Sequence, residues 1–233
     1  MGTRGAGFLY LLADDRPSPV FRREVAVKRL ALATPRRDFG ELAERLRLGI
    51  DDKILSWIVQ CLPGVSPKSL YRLRAGWNAE NGAAVFPMSD GSGRIIGLRY
   101  RSPSGGKWAA TGSRNGLFVP EGLQPKTPLF LPGGPTDAAA VLSLGVQAVG
   151  RPSAVAGVDL VAELVRRIRP SLVIVVADQD EVGRRGAGVG TAAAALCPTA
   201  IWTPPTKDLR EFAAVDPVGA ARELELVTGE TTR

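Results

Sequence analysis

Read for its alternation of apolar and polar positions, the chain changes character near residue 127. Before that point the signals are short amphipathic stripes and alternating strands. Asp38 has Glu41 three residues on, the spacing of a capping box, and Leu42 and Leu46 follow at helical intervals. Ile54, Ile58 and Leu62 form a second helical stripe that stops at Pro63-Gly64, and Ser66-Pro67 opens a third short helix carrying Leu70 and Leu73. Residues 83–88 and 94–101 flank Asp90-Gly91-Ser92-Gly93, which predicts a hairpin with Arg99 and Arg101 on one face. Residues 107–109 and 116–119 read as further strands, with Trp108 as a core residue, and Ser113-Arg114-Asn115-Gly116 as a tight polar turn.

After residue 127 the apolar runs stop alternating. Residues 129–131, 146–149, 172–177 and 200–202 read as strands buried on both faces. Helical patterns over 136–144, 158–168 and 182–196 separate them, and 208–214 and 220–227 close the chain as helices. Strand and helix alternate four times, so this half is predicted to be an α/β unit with a parallel four-stranded sheet flanked by helices. The expected organisation is an arm or weak strand over 1–37, a small basic α+β subdomain over 38–126, and the α/β unit over 127–233.

The candidate chemistry lies at the end of the strand Leu172-Val173-Ile174-Val175-Val176-Ala177, where Asp178 and Asp180 follow two positions apart. Ligands of parallel sheets bind beyond the carboxyl ends of the strands, and an extended backbone would aim both side chains into one cleft. Two close carboxylates repel unless a cation lies between them, and a hard ion such as Mg²⁺ suits one or two carboxylates plus phosphate oxygens. The alternative is that Asp178 caps the next helix and Asp180 is solvated. Gly186-Ala187-Gly188-Val189-Gly190 is no dinucleotide fingerprint: its spacing is wrong and it lies within a predicted helix.

Composition narrows the picture. Histidine is absent from the 233 residues, which excludes Ser-His-Asp chemistry, His-ligated zinc and histidine general bases. Cys61 and Cys197 are far apart and form no CxxC pair, which points to a reduced, cytoplasmic protein without a cysteine zinc ribbon. No apolar run approaches the ~20 residues of a membrane span, and residues 7–13 meet Asp14-Asp15 too soon for a signal peptide. The net charge of +7 is uneven. Residues 1–126 carry 20 Lys/Arg against 11 Asp/Glu, whereas 127–233 carry 10 against 12. A basic half beside a mildly acidic one suggests a polyanion-binding surface next to a cation site.

Three polar clusters sit at successive strand ends: Gly133-Gly134-Pro135-Thr136-Asp137, Asp178-Gln179-Asp180-Glu181-Val182-Gly183 and Lys207-Asp208-Leu209-Arg210-Glu211. In this order they resemble the Toprim domain of bacterial and phage DNA primases. The preceding half resembles the small subdomain before that domain, in Phe86-Pro87-Met88, Ile96-Gly97-Leu98-Arg99, Lys107-Trp108 and Gly116-Leu117-Phe118. The resemblance spans about residues 40–215. It implies RNA primer synthesis on single-stranded DNA from nucleoside triphosphates, with Mg²⁺ or Mn²⁺ held by Asp178 and Asp180 together with Asp137 and Asp208. It also implies template or triphosphate contacts at Arg99, Arg101, Lys107, Arg114 and Lys207, and a separate helicase or replication protein as a partner. One departure stands out: where the family carries its motif glutamate, this chain has Gly133, which has no carboxylate for proton transfer or metal binding. The family's zinc ribbon and helicase domain have no counterpart in the sequence. An inactive nucleic-acid-binding replication module and a Toprim nuclease are the other readings of the same cleft.

Overall fold

A computed structural model describes residues 37–153, 157–177 and 187–230, which from Asp38 onward form one compact unit. The expected arm over 1–37 lies outside the described residues apart from Arg37, which is exposed. Three helices come first. In α1 (Phe39–Arg47) the Asp38 carboxylate accepts from the backbone N–H groups of Gly40 and Glu41 at 2.8 and 3.1 Å. Asp51 caps α2 (Asp52–Cys61) through the Ile54 N–H at 2.7 Å. Ser66 caps α3 (Pro67–Arg72), whose Pro67 fills the first helical position, where no N–H is needed.

The antiparallel sheet that follows has the order β1 (Gly76–Asn78), β2 (Ala83–Ser89), β3 (Ile95–Arg101) and β4 (Lys107–Ala109). Every residue of β2 is buried, because both faces of the sheet are covered. Ala83 and Val85 pack with Phe39, Leu42, Leu98 and Tyr100 under α1. Ala84, Phe86 and Met88 belong to a larger core with residues of α2 and α3 and with Phe130 and Ala138 from the second half of the chain. Trp108 is not a core residue. It is 37% exposed and stacks on Tyr100, its cross-strand partner, with centroids 5.5 Å apart.

The second half contains β5 (Leu129–Leu131), α4 (Pro135–Ser143), α5 (Val158–Ile168), β6 (Val173–Val176), α6 (Ala187–Ala194), β7 (Thr199–Trp202), α7 (Leu209–Val215) and α8 (Pro217–Glu230). Its sheet has three parallel strands in the order β5-β6-β7, not the four expected. The segment predicted as a strand over 146–149 does run beside β5, but as isolated bridges, Ala148 to Phe130 and Arg151 to Gly133. Pro132 explains the break. Phe130 donates to Gln147, Val149 donates to Phe130, and Arg151 donates to Pro132. Proline has no N–H to return the next bond, so the ladder stops.

The strand expected over 116–119 is divided in the same way. Leu117 pairs with Ser89 of β2, and the next residue, Phe118, pairs with Gly150. Backbone bonding therefore passes from β2 through 117–118 to 148–151 and on to β5. The β2–β3 turn also reaches the second half, where Gly91 lies so close to Glu163 of α5 that an added Cβ would collide with that side chain.

Candidate functional site

The site is built at the carboxyl ends of β5 and β6. Beyond Leu131 the chain turns through Pro132-Gly133-Gly134 into α4. Gly134 takes φ 105°, a backbone conformation that strains any other residue, and Pro135 then starts the helix. Asp137 stands in the first turn of α4, where the helix dipole favours a carboxylate. Gly150 presses against this turn. A Cβ there would collide with the carbonyl oxygen of Gly134, so only glycine lets the two segments approach.

Arg151 follows Gly150 and is 2% exposed. Its Nε donates to the Leu131 carbonyl at 3.0 Å and its Nη2 to the Val176 carbonyl at 2.8 Å. One guanidinium thus joins the ends of β5 and β6, two residues before Asp178. Sequence reasoning missed this residue. Its signal was a lone arginine directly after the apolar segment 146–150, in a position where burial demands partners.

On the facing side, Arg101 at the end of β3 lies on the same face as Ala84 and Lys107, its cross-strand neighbours. Burial pushes its guanidinium below the ordinary value, and Arg210 adds to that, while Asp137 and Asp208 oppose it. Arg101 of β3 is therefore within electrostatic range of charges on α4 and at the start of α7, although these segments are far apart in sequence. Asp208 also shapes its own helix, since its Oδ1 accepts from the Glu211 N–H at 2.8 Å and caps α7. Glu211 in turn accepts from the backbone N–H of Lys207 at 3.2 Å, which leaves the Lys207 side chain exposed.

Arg99 shares the Arg101 face. It donates to Asn115 Oδ1 at 3.2 Å and approaches Met88 Sδ at 3.9 Å, while its buried Nε has no hydrogen-bond partner. Arg114 is exposed on a loop whose backbone lies over Gly97, close enough that a Cβ there would meet the Arg114 carbonyl at 2.7 Å. Lys107 is exposed on β4. The structure thus brings Asp137 and Asp208 each within electrostatic range of Arg101 and carries Arg99, Lys107 and Arg114 on or beside the same sheet face. Gly133 lies at the turn, partly buried and bridged to Arg151. Asp178 and Asp180 lie outside the described residues. Among the described residues, no three His, Cys, Asp or Glu side chains gather as a metal-binding group. No helix among them is long and apolar enough to cross a membrane.

No protein-family model matches the chain, and no curated protein matches it in sequence. Solved structures do match its fold. The primase fragment of the bacteriophage T7 primase-helicase has a TM-score of 0.55 at 20% identity, over 70% of this chain and 69% of that one. The DnaG catalytic core has a TM-score of 0.59 at 16% identity, over 79% and 78%. The DnaG catalytic domain bound to single-stranded DNA has a TM-score of 0.57 at 17% identity, over 79% of each chain. The fold is a mixed α/β one, similar to that of the catalytic cores of bacterial and phage primases.

Proposed function

We propose that the chain is a primase-type nucleotidyltransferase core that binds single-stranded DNA and joins ribonucleoside triphosphates into an RNA primer. The observation that carries this reading is the position of Arg101: it ends a strand that also carries Arg99 and lies within electrostatic range of Asp137 and Asp208, at the start of two helices of the parallel unit, in a fold similar to that of primase cores. Arg99, Arg101, Lys107 and Arg114 would take phosphates of the template, joined by Lys207 and Arg210 from the start of α7, and such contacts give salt-dependent affinity. The oxygen-only donors Asp178, Asp180 and Asp137 fit Mg²⁺ or Mn²⁺, a hard ion that completes its shell with phosphate oxygens; Asp208, with one oxygen committed to its helix cap, is the weaker candidate. When bound, the ion would neutralise charge on the transferring phosphoryl group. Arg101 and Arg210 would hold phosphates beside it, and Arg151 would fix the strand ends from which these groups project. A separate helicase or replication protein would complete the assembly.

Gly133 bears on the rate. A glycine moves no proton, and loss of a general acid or base typically costs about 10²–10⁴-fold. The second reading, a nucleic-acid-binding module without synthesis, draws its support from this one residue. Incubation with Mg²⁺ or Mn²⁺, labelled ribonucleoside triphosphates and a single-stranded template distinguishes the readings. Labelled oligoribonucleotides support synthesis. Retarded but unchanged template supports the binding module, and shortened template supports a nuclease.

A further inference from the structure

We propose that the pocket between Trp57, Trp77 and Arg101 is a stacking site for one unpaired base of a single strand, a reading that rests on the chain being a nucleic-acid-binding core. The pocket follows from one row of the antiparallel sheet. Trp77 of β1 pairs with Ala84 of β2, Ala84 pairs with Arg101 of β3, and Arg101 pairs with Lys107 of β4, so all four side chains share a face. Strands one apart are about 4.8 Å from each other, so Trp77 and Arg101 flank a slot roughly 9–10 Å across whose middle residue is only a methyl group. Trp57 of α2 closes the end, set edge-on to Trp77 with centroids 5.2 Å apart and an interplanar angle of 87°. The resulting cleft, completed by Ser102 and Pro103, is shallow, with an interior of only about 20 Å³, so a base would lie across its mouth against the indole and the guanidinium rather than sink into it.

The chemistry of the walls selects the occupant. An indole and a guanidinium are the two side chains on which bases stack irrespective of sequence. Trp57 is 38% exposed and Arg101 half-buried, so both remain reachable. Arg101 belongs at once to this pocket and to the charge cluster with Asp137 and Asp208, which puts a base held here next to the proposed reaction site. Beyond the pocket, the Ser102–Gly106 turn and exposed Lys107 continue along the sheet edge. Lys107 offers a phosphate contact to a backbone running past the base, which a mononucleotide would not use.

The test uses the full chain and a short fluorescent deoxythymidine oligonucleotide, followed by anisotropy. Trp57→Ala is expected to weaken binding about tenfold, and Trp57→Phe to retain most of it. An abasic strand of the same length should bind the native chain about tenfold more weakly and show no further loss with Trp57→Ala. Equal binding of the oligonucleotide by native chain and Trp57→Ala overturns the proposal. So does an equal loss on abasic and normal strands, or quenching of Trp57 by a free nucleoside triphosphate but not by the oligonucleotide. A chain that shows the expected ratios yet makes no primers upholds the pocket and overturns synthesis. A chain that makes primers while Trp57→Ala binds template normally does the reverse.

Discussion

Arg151 Nη2 donates to the carbonyl oxygen of Val176 at 2.8 Å, so a cation from beyond Gly150 closes the end of β6 two residues before Asp178. The same guanidinium holds Leu131, at the end of β5. Removing it would strand a pair of buried carbonyls at the point where the cleft begins. Arg151→Met is therefore expected to lower stability by about 3–5 kcal/mol, read from the urea midpoint at unchanged slope. Arg151→Lys should recover little, since an ammonium lacks the planar fork that spans both strands. A loss under about 1 kcal/mol for Arg151→Met would show that the clasp is dispensable.

Restoring the carboxylate is the direct test of the altered turn. The left-handed residue there is Gly134, so Gly133 is the position to change. Gly133→Glu should raise primer synthesis on single-stranded template by up to about 10²-fold if the site is intact apart from its proton-transfer group. No gain in labelled product would count against that account.

Arg101 is predicted to serve phosphate binding. Arg101→Gln should weaken binding of single-stranded DNA similarly for every sequence, and should reduce the steepness of its salt dependence by roughly one phosphate contact. Titrations at several salt concentrations measure the slope, and an unchanged slope would exclude the contact.

The proposed ion site is tested by paired substitution. Asp178→Asn with Asp180→Asn should abolish Mn²⁺ binding seen by electron paramagnetic resonance. Asp208→Asn should have a smaller effect, because an amide oxygen still caps α7. Retained Mn²⁺ binding in the double variant would sink the assignment.

Asp90 offers a pH test of the hairpin. Burial pushes its carboxyl up, but hydrogen bonds from the Ser92 hydroxyl and the Arg94 N–H and guanidinium, with the Arg94 charge, outweigh it and leave it below the ordinary value. A depressed carboxylate contributes stability that is present above its unfolded value, about 3.9, and lost as the pH falls through the folded one. Asp90→Asn should thus cost up to about 1 kcal/mol at pH 7 and less at pH 3. An equal cost at both pH values would contradict the assignment.

Local signals were legible where one residue type dictates one geometry. The caps at Asp38, Asp51 and Ser66 are seen in the structure, though only Asp38 and Ser66 stood out in sequence. The helix expected over 158–168 has those bounds, since its apolar stripe at Val161, Leu164 and Val165 is buried and unbroken. What escaped depends on partners distant in sequence. Nothing near residue 146 announces that Pro132 will interrupt its ladder, and nothing near Arg101 announces Asp137 or Asp208. Trp108 was misjudged because aromatic size suggests burial, whereas its place in the short edge strand β4 leaves it only Tyr100 to cover one ring face.

The pairing of Phe118 with Gly150 has a mechanical meaning. Its two backbone bonds, at 2.8 and 3.1 Å, join a segment bonded to the antiparallel sheet to one bonded to the parallel sheet. A rotation that widened the gap between Arg101 and Asp137 would have to break this seam or bend the chain around it. The two sheets are thus tied to each other by main chain at this seam, independently of any side chain that lines the cleft.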